Sequence, residues 1–372
     1  MSELINPQRG RKDFRHQLLA GVSVIALVSL YSASTVAIAA EDAGRPTVWL
    51  ELGAQSEQMN GLADPLSPPF GATVVSDGFR SPLELQRALS QSFGEQGMIS
   101  YQPENSSWVF SLSARYGKAQ GGATTHDQTP GAPKAVYAGT YHFYRTPFIQ
   151  RYADTHVRNT EAHVIVDFQG GKDVGLGLLQ HGGATLGFGL RFAQFTSKQV
   201  LNLNADPDYT MPANLYLSRF HHAYAVTSHN ERSFHGLGPA ISWKAFAPLI
   251  GNFEAGTITL DWDVNAALLF GRQKVIGHHQ TVGTYFKTNV VYGFQPHQYI
   301  NRSGNPNRSH SAIVPNLGGV AGISYRFTNA KLSLGYRADF FFGTIDGGID
   351  TGKKETHGFY GPFATVSVGL GG

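Results

Sequence analysis

Residues 257–270, TITLDWDVNAALLF, carry an apolar side chain at every even position from Ile258 to Phe270 and Thr257, Thr259, Asp261, Asp263 and Asn265 at odd ones. Successive side chains of a strand point to opposite faces. A strand made of this stretch therefore meets an apolar medium on one side and a polar one on the other. Its length exceeds the roughly 5–6 residues of an ordinary soluble strand. It suffices for the about 9–11 residues that a tilted strand needs to cross a bilayer's hydrocarbon.

The same period recurs along the chain. It is regular in 47–55, 108–118, 160–169, 185–195, 319–327 and 331–340, and looser in 136–145, 233–246 and 357–370. These make ten candidate strands, and a hairpin within 272–315 would raise the count to twelve. Thr328-Asn329-Ala330 reads as a tight turn and 247–256 as a short one. The stretches 56–106, 198–232 and 272–315 read as long connections, while 119–134 interrupts the long-short rhythm. Within the first, Ser81 and Pro82 could cap and start a short helix over 81–93. That connection would lie above the membrane or fold inward as a plug.

A soluble sandwich or barrel would turn the apolar face inward, and a membrane barrel would turn it outward. Four features favour the membrane. Aromatics, 12% of the chain, crowd the apolar faces. The opposite faces carry Gly, Ser, Thr and charge, where soluble outer faces are rich in Lys and Glu. The strands are long, and short turns alternate with long connections. The expected fold is all-β: a closed antiparallel transmembrane β-barrel of about 10–12 strands, with short periplasmic turns, long extracellular loops and both termini in the periplasm. Closure follows because hydrocarbon offers no partner to an unpaired sheet edge.

Residues 1–40 read as a signal peptide. Arg9, Arg11, Lys12 and Arg15 precede an apolar stretch, and Ala37-Ile38-Ala39 has the small-x-small form cut by signal peptidase, which places cleavage near Ala39-Ala40. Residues 41–372 would then be the barrel. Without the leader, 25 of the 29 basic and 24 of the 26 acidic residues remain, a balance that gives no reason to expect nucleic-acid binding. The absence of cysteine excludes disulfides and thiolate metal sites.

The period assigns faces. Trp108, Phe110, Phe188, Leu260, Trp262, Val264, Tyr325 and Leu334 should face lipid. Arg115 on one strand, Glu161, His163 and Asp167 on the next, and Arg191 on a third should face the lumen, as should Asp261 and Asp263, then Arg326, then Arg337 and Asp339. Four arginines thus meet five acids. They would either set a transverse field that tunes ion selectivity or pair across the lumen and hold the barrel closed. The tight turn at 328–330 should bring Arg326, Arg337 and Asp339 together.

Five segments resemble the proteobacterial pore-forming family typified by the Legionella major outer-membrane protein: VDFQGGKDVGLG (166–177), LRFAQF (190–195), FHGLGPAISW (234–243), GYRADFFF (335–342) and HGFYGPFATVSV (357–368). The resemblance implies export to the outer membrane, a β-barrel and channel activity. It brings no catalytic residues.

The expected function is passive diffusion of ions or small polar solutes through the outer membrane. The partners would be membrane lipid, lipopolysaccharide, the solutes themselves and the assembly machinery that inserts such barrels. A surface adhesin or structural barrel is the first alternative, and a lipid hydrolase the second. Against an enzyme, no G-x-S-x-G elbow, H-E-x-x-H or phosphate-binding G-x-x-x-x-G-K-[ST] loop occurs. No cofactor or metal is expected, since adjacent histidines such as His221-His222 and His278-His279 make poor chelates on a strand. Those histidines are expected in solvated loops.

Overall fold

A sheet apolar on one face and polar on the other is stable across a bilayer only if its first strand finds its last. In the computed structural model of the chain it does. The structure describes residues 48–60, 91–104, 106–129, 151–174, 183–210, 218–252, 256–289, 293–305, 307–347 and 354–370. Among them the strands are β1 (Val48–Asn60), β2 (Gln91–Tyr101), β3 (Trp108–Thr129), β4 (Arg151–Asp173), β5 (Gly183–Thr210), β6 (Ser218–Asn252), β7 (Gly256–Asn289), β8 (Gly293–Gly304), β9 (Asn307–Arg326), β10 (Ala330–Asp346) and β11 (Lys354–Leu370).

All pairings are antiparallel. β1 joins β11, from Val48 opposite Leu370 to Asn60 opposite Gly358, and this closes the ring. β7 pairs with β9 over its first part and with β8 over its last, Ile276 lying opposite Asn307 and His279 opposite Gly304. β8 therefore continues the lane of β9, and eleven strands make a ten-stranded barrel.

Burial follows the alternation. On β7 Leu260, Val264, Leu268 and Phe270 stay exposed while Thr259, Leu269 and Gln273 are buried. The outward apolar run from Ile258 to Phe270 spans about 40 Å at ~3.3 Å per residue. Tilted by about 45°, it covers a height close to the ~25 Å apolar band of a membrane barrel. The expected transmembrane β-barrel is thus the fold observed, with an outward lipid face and an inward core. The short turns between β2 and β3, β6 and β7, and β9 and β10 lie at the same end as Val48 and Leu370. At the β6–β7 turn, Gly251 and Gly256 take φ of 105° and 111°, a conformation that favours glycine.

Several expected connections prove to be strand. Residues 198–210, 218–232 and 272–289 continue β5, β6 and β7 beyond the apolar band, and β3 runs on to Thr129 through the expected interruption. The pattern that marks a lipid-crossing strand fades there because the outer face turns polar while the inner face mixes buried apolar residues such as Leu201, Leu203, Val226 and Val275 with polar ones. His229 and His278 stand exposed on these walls, on β6 and β7. Residues 91–101 form β2, so the proposed helix over 81–93 does not include its last three residues; 81–90 lie outside the described residues, as do the candidate strand 136–145 and the leader. Of the proposed loop or plug 56–106, the two ends are β1, β2 and the turn after it, and 61–90 lie outside the described residues.

Candidate functional site

At the short-turn end, the inward faces of the strands leave a cavity of about 360 Å³. Alternation shapes its lining: most strands contribute every second residue, as in Ser111, Ser113 and Arg115 or Gly322, Ser324 and Arg326. Seven of the ten residues expected in the lumen border it, namely Arg115, Asp167, Arg191, Asp261, Asp263, Arg326 and Arg337, together with Lys244 and Lys331.

Several of these charges are paired, while one carboxylate oxygen of Asp263 has no hydrogen-bond partner. Near the mouth, Arg326 donates from Nη2 to Asp261 Oδ2 at 2.8 Å and from Nε to Thr259 Oγ1 at 3.1 Å. Ser324 Oγ donates to the same carboxylate at 2.8 Å, and the Lys331 ammonium lies 3.5 Å away. The Arg326 guanidinium also lies over the Phe246 ring, 4.0 Å from its centroid, a cation–π contact.

Deeper in, Arg191 binds Asp167 with two parallel bonds of 2.6 and 2.9 Å. Such forked pairing is the strong form of the arginine–carboxylate contact. Its Nη1 reaches across to Asn265 Oδ1 at 2.8 Å and to Asn316. Arg115 on β3 meets Asp339 on β10 at 2.5 Å, across the bore. Asp339 is 1% exposed and does not border the cavity. Arg337 donates instead to Gln96 and lies over the Phe363 ring, 5.2 Å from its centroid. The expected grouping of Arg326 with Arg337 and Asp339 is therefore corrected: the turn brings their strands together, but Arg326 pairs at the mouth and Asp339 well above it.

Above this level the bore is shut. Phe195 on β5 lies 6.1 Å from Phe234 on β6, 4.6 Å from Phe341 on β10 and 5.5 Å from Phe359 on β11, centroid to centroid. Phe195, Phe234 and Phe341 are 0% exposed. Two buried His–carboxylate pairs are interleaved with the rings: His163 with Glu57 and His357 with Glu161, each at 3.5 Å. Glu161 also accepts from Ser197 at 2.6 Å. Glu161 and His163 thus point inward as expected but sit in this closed layer, not on the cavity. Each pair leaves one carboxylate oxygen and one imidazole Nδ1 without a hydrogen bond. The aromatic layer was not singled out in the sequence, although Phe195 shares the parity of Arg191, and Phe341 that of Arg337 and Asp339.

The residues expected to face lipid lie on the outer face of the wall. Trp108, Phe110, Phe188, Leu260, Val264, Tyr325 and Leu334 are between 37% and 58% exposed. Trp262, half-buried, packs edge-on against Trp243 on the outer wall.

No family model matches the chain, and no curated protein is significantly similar to it. Among solved structures, the transport unit of the autotransporter AIDA-I from Escherichia coli is similar at 8% identity and a TM-score of 0.24, with 92% of this chain and 97% of that chain covered. The translocator domain of the autotransporter NalP from Neisseria meningitidis is similar at 8% identity and a TM-score of 0.23, covering 94% and 98%. The Pseudomonas putida toluene transporter TodX is similar at 9% identity and a TM-score of 0.20, covering 89% and 90%. Likeness this slight adds nothing to what the barrel geometry itself states.

Proposed function

We propose that the chain is an outer-membrane channel for ions or small polar solutes, exported by a cleaved signal peptide, inserted by the outer-membrane assembly machinery and closed in this conformation by its aromatic layer. The observation that carries this reading is the charged cavity. Charges in a confined lumen are costly to desolvate, and well-packed apolar residues would hold a purely structural barrel at least as well. The upper lumen mixes apolar side chains such as Leu269, Val314 and Ile345 with buried polar ones and is filled, whereas the lower lumen is left open and lined by charge. Support also comes from the polar groups left unmet in the closed layer. Each unmet group costs about 1–3 kcal/mol, which makes the layer easier to hydrate than a fully apolar one. The resemblance to pore-forming barrels agrees. No catalytic role is proposed for any residue.

The test is reconstitution of the full chain in a planar bilayer. Stepwise conductance is expected, with an anion–cation preference that moves toward cations in Arg326→Glu with Lys331→Glu. A barrel silent at all voltages favours the second reading, a sealed surface scaffold. The specific observation behind that second reading is the contact of Phe195 with rings on the far side of the bore.

A further inference from the structure

On the outer wall of β6, β7 and β9, the pairing stacks three rows in register. The first is Leu237, Phe270 and Ile313, all more than half exposed. The next is His235, Arg272 and Ser311, and the third Ser233, Lys274 and Ser309. Apolar surface thus gives way to cations and hydroxyls within a single step along the strands. Arg272 and Lys274 are exposed. Arg272 Nε donates to Ser309 Oγ at 2.7 Å, and Ser309 Oγ in turn donates to the Gln273 carbonyl at 3.1 Å. The guanidinium is therefore held against the wall. Among the described residues the one acid on the outer face of these three strands, Glu231, is engaged by Lys198 at 3.0 Å.

We infer that this patch binds the phosphate groups of a phosphorylated glycolipid of the outer leaflet, with Arg272 and Lys274 as its cationic anchors. The apolar row below takes acyl chain, and the guanidinium presents paired N–H donors suited to a phosphate. The position decides the source: the patch begins where the hydrocarbon-facing surface ends, at headgroup depth. The inference rests on the proposed outer-membrane placement and not on conduction.

The test uses the full chain refolded in detergent, with bound lipid counted by native mass spectrometry. Bisphosphorylated lipid A is titrated against lipid A stripped of both phosphates. Wild type is expected to bind the phosphorylated form about tenfold more tightly. Arg272→Gln with Lys274→Gln should lose that preference, and Lys172→Gln, at the opposite end of the barrel, should keep it. Millimolar inorganic phosphate should not displace the lipid. No phosphate preference in wild type, its retention in the double variant, or displacement by inorganic phosphate would each overturn the assignment. Wild type is its own control for folding, because only the lipid changes. Conductance measured without lipid A is judged separately, so a failed channel and a failed lipid site are told apart.

Discussion

Phe195 on β5 stacks on Phe359 on β11, ring centroids 5.5 Å apart and planes 16° from parallel, although the two strands stand on opposite sides of the ring. The contact is possible only because a ten-stranded barrel is narrow enough for two side chains to meet across it. It turns the bore from a tube into a closed vestibule.

Removing the contact should open the bore. Phe195→Ala with Phe359→Ala is expected to raise single-channel conductance above wild type in a planar bilayer. The cost is about 3–5 kcal/mol of stability for each truncation, read as a lower unfolding midpoint in urea. Unchanged conductance would place the barrier elsewhere.

Arg115 and Asp339 brace the barrel below that layer. Replacing either by alanine leaves a buried charge alone and should cost about 3–5 kcal/mol. The double variant should lose less than the sum, with an interaction energy of about 1–3 kcal/mol in a double-mutant cycle. Denaturant unfolding in lipid vesicles measures all three.

Gly318 lies beside Asp339. A Cβ placed there would run into the Asp339 carboxylate and the Asn265 amide. Gly318→Val should therefore destabilise by about 1–3 kcal/mol through overpacking, whereas Gly319→Val, whose nearest contact is an ordinary 3.7 Å, should not. Heat-modified electrophoretic mobility compares the two.

Leu260→Arg puts a cation into hydrocarbon and should cost about 2–4 kcal/mol near mid-membrane. The sequence alone suggests that Asp261→Ala folds nearly normally. The structure revises this, because Asp261 gathers Arg326, Lys331, Thr259 and Ser324. Its loss should cost about 1–2 kcal/mol, since the site is partly exposed and the cations can reach water. Urea titration of both variants ranks them.

What the sequence reveals follows the membrane. Where a strand crosses hydrocarbon, lipid enforces alternation, and within 108–118, 257–270, 319–327 and 331–340 the inward or outward facing of the residues is legible, though the strands run on beyond most of these bounds. Where β5, β6 and β7 rise beyond the apolar band, the outer face turns polar and the buried inner face mixes Leu201, Leu203 and Val226 with Gln199, Ser228 and Asn230, so the period vanishes and 198–210 and 218–232 pass for loops. β2 was hidden for a related reason: Glu95 and Gly97 interrupt its outward face between Phe93 and Ile99. The charged cavity was legible as a set of residues but not as pairs, since register and shear decide that Asp339 finds Arg115 and not Arg326. The aromatic layer left a trace in the parity of Phe195 and Phe341, which share the inward positions of Arg191 and of Arg337 and Asp339.

The central claim is that the apolar face looks outward. The chain has no cysteine, so single cysteines introduced from position 257 to 270 can each carry a nitroxide in the reconstituted barrel. Collision with oxygen, which dissolves in lipid, and with a water-soluble nickel chelate should then oscillate with a period of two. Even positions should favour oxygen and odd positions should not. The opposite phase, with Leu260 and Val264 shielded and Asp261 and Asp263 open to lipid, would contradict the account.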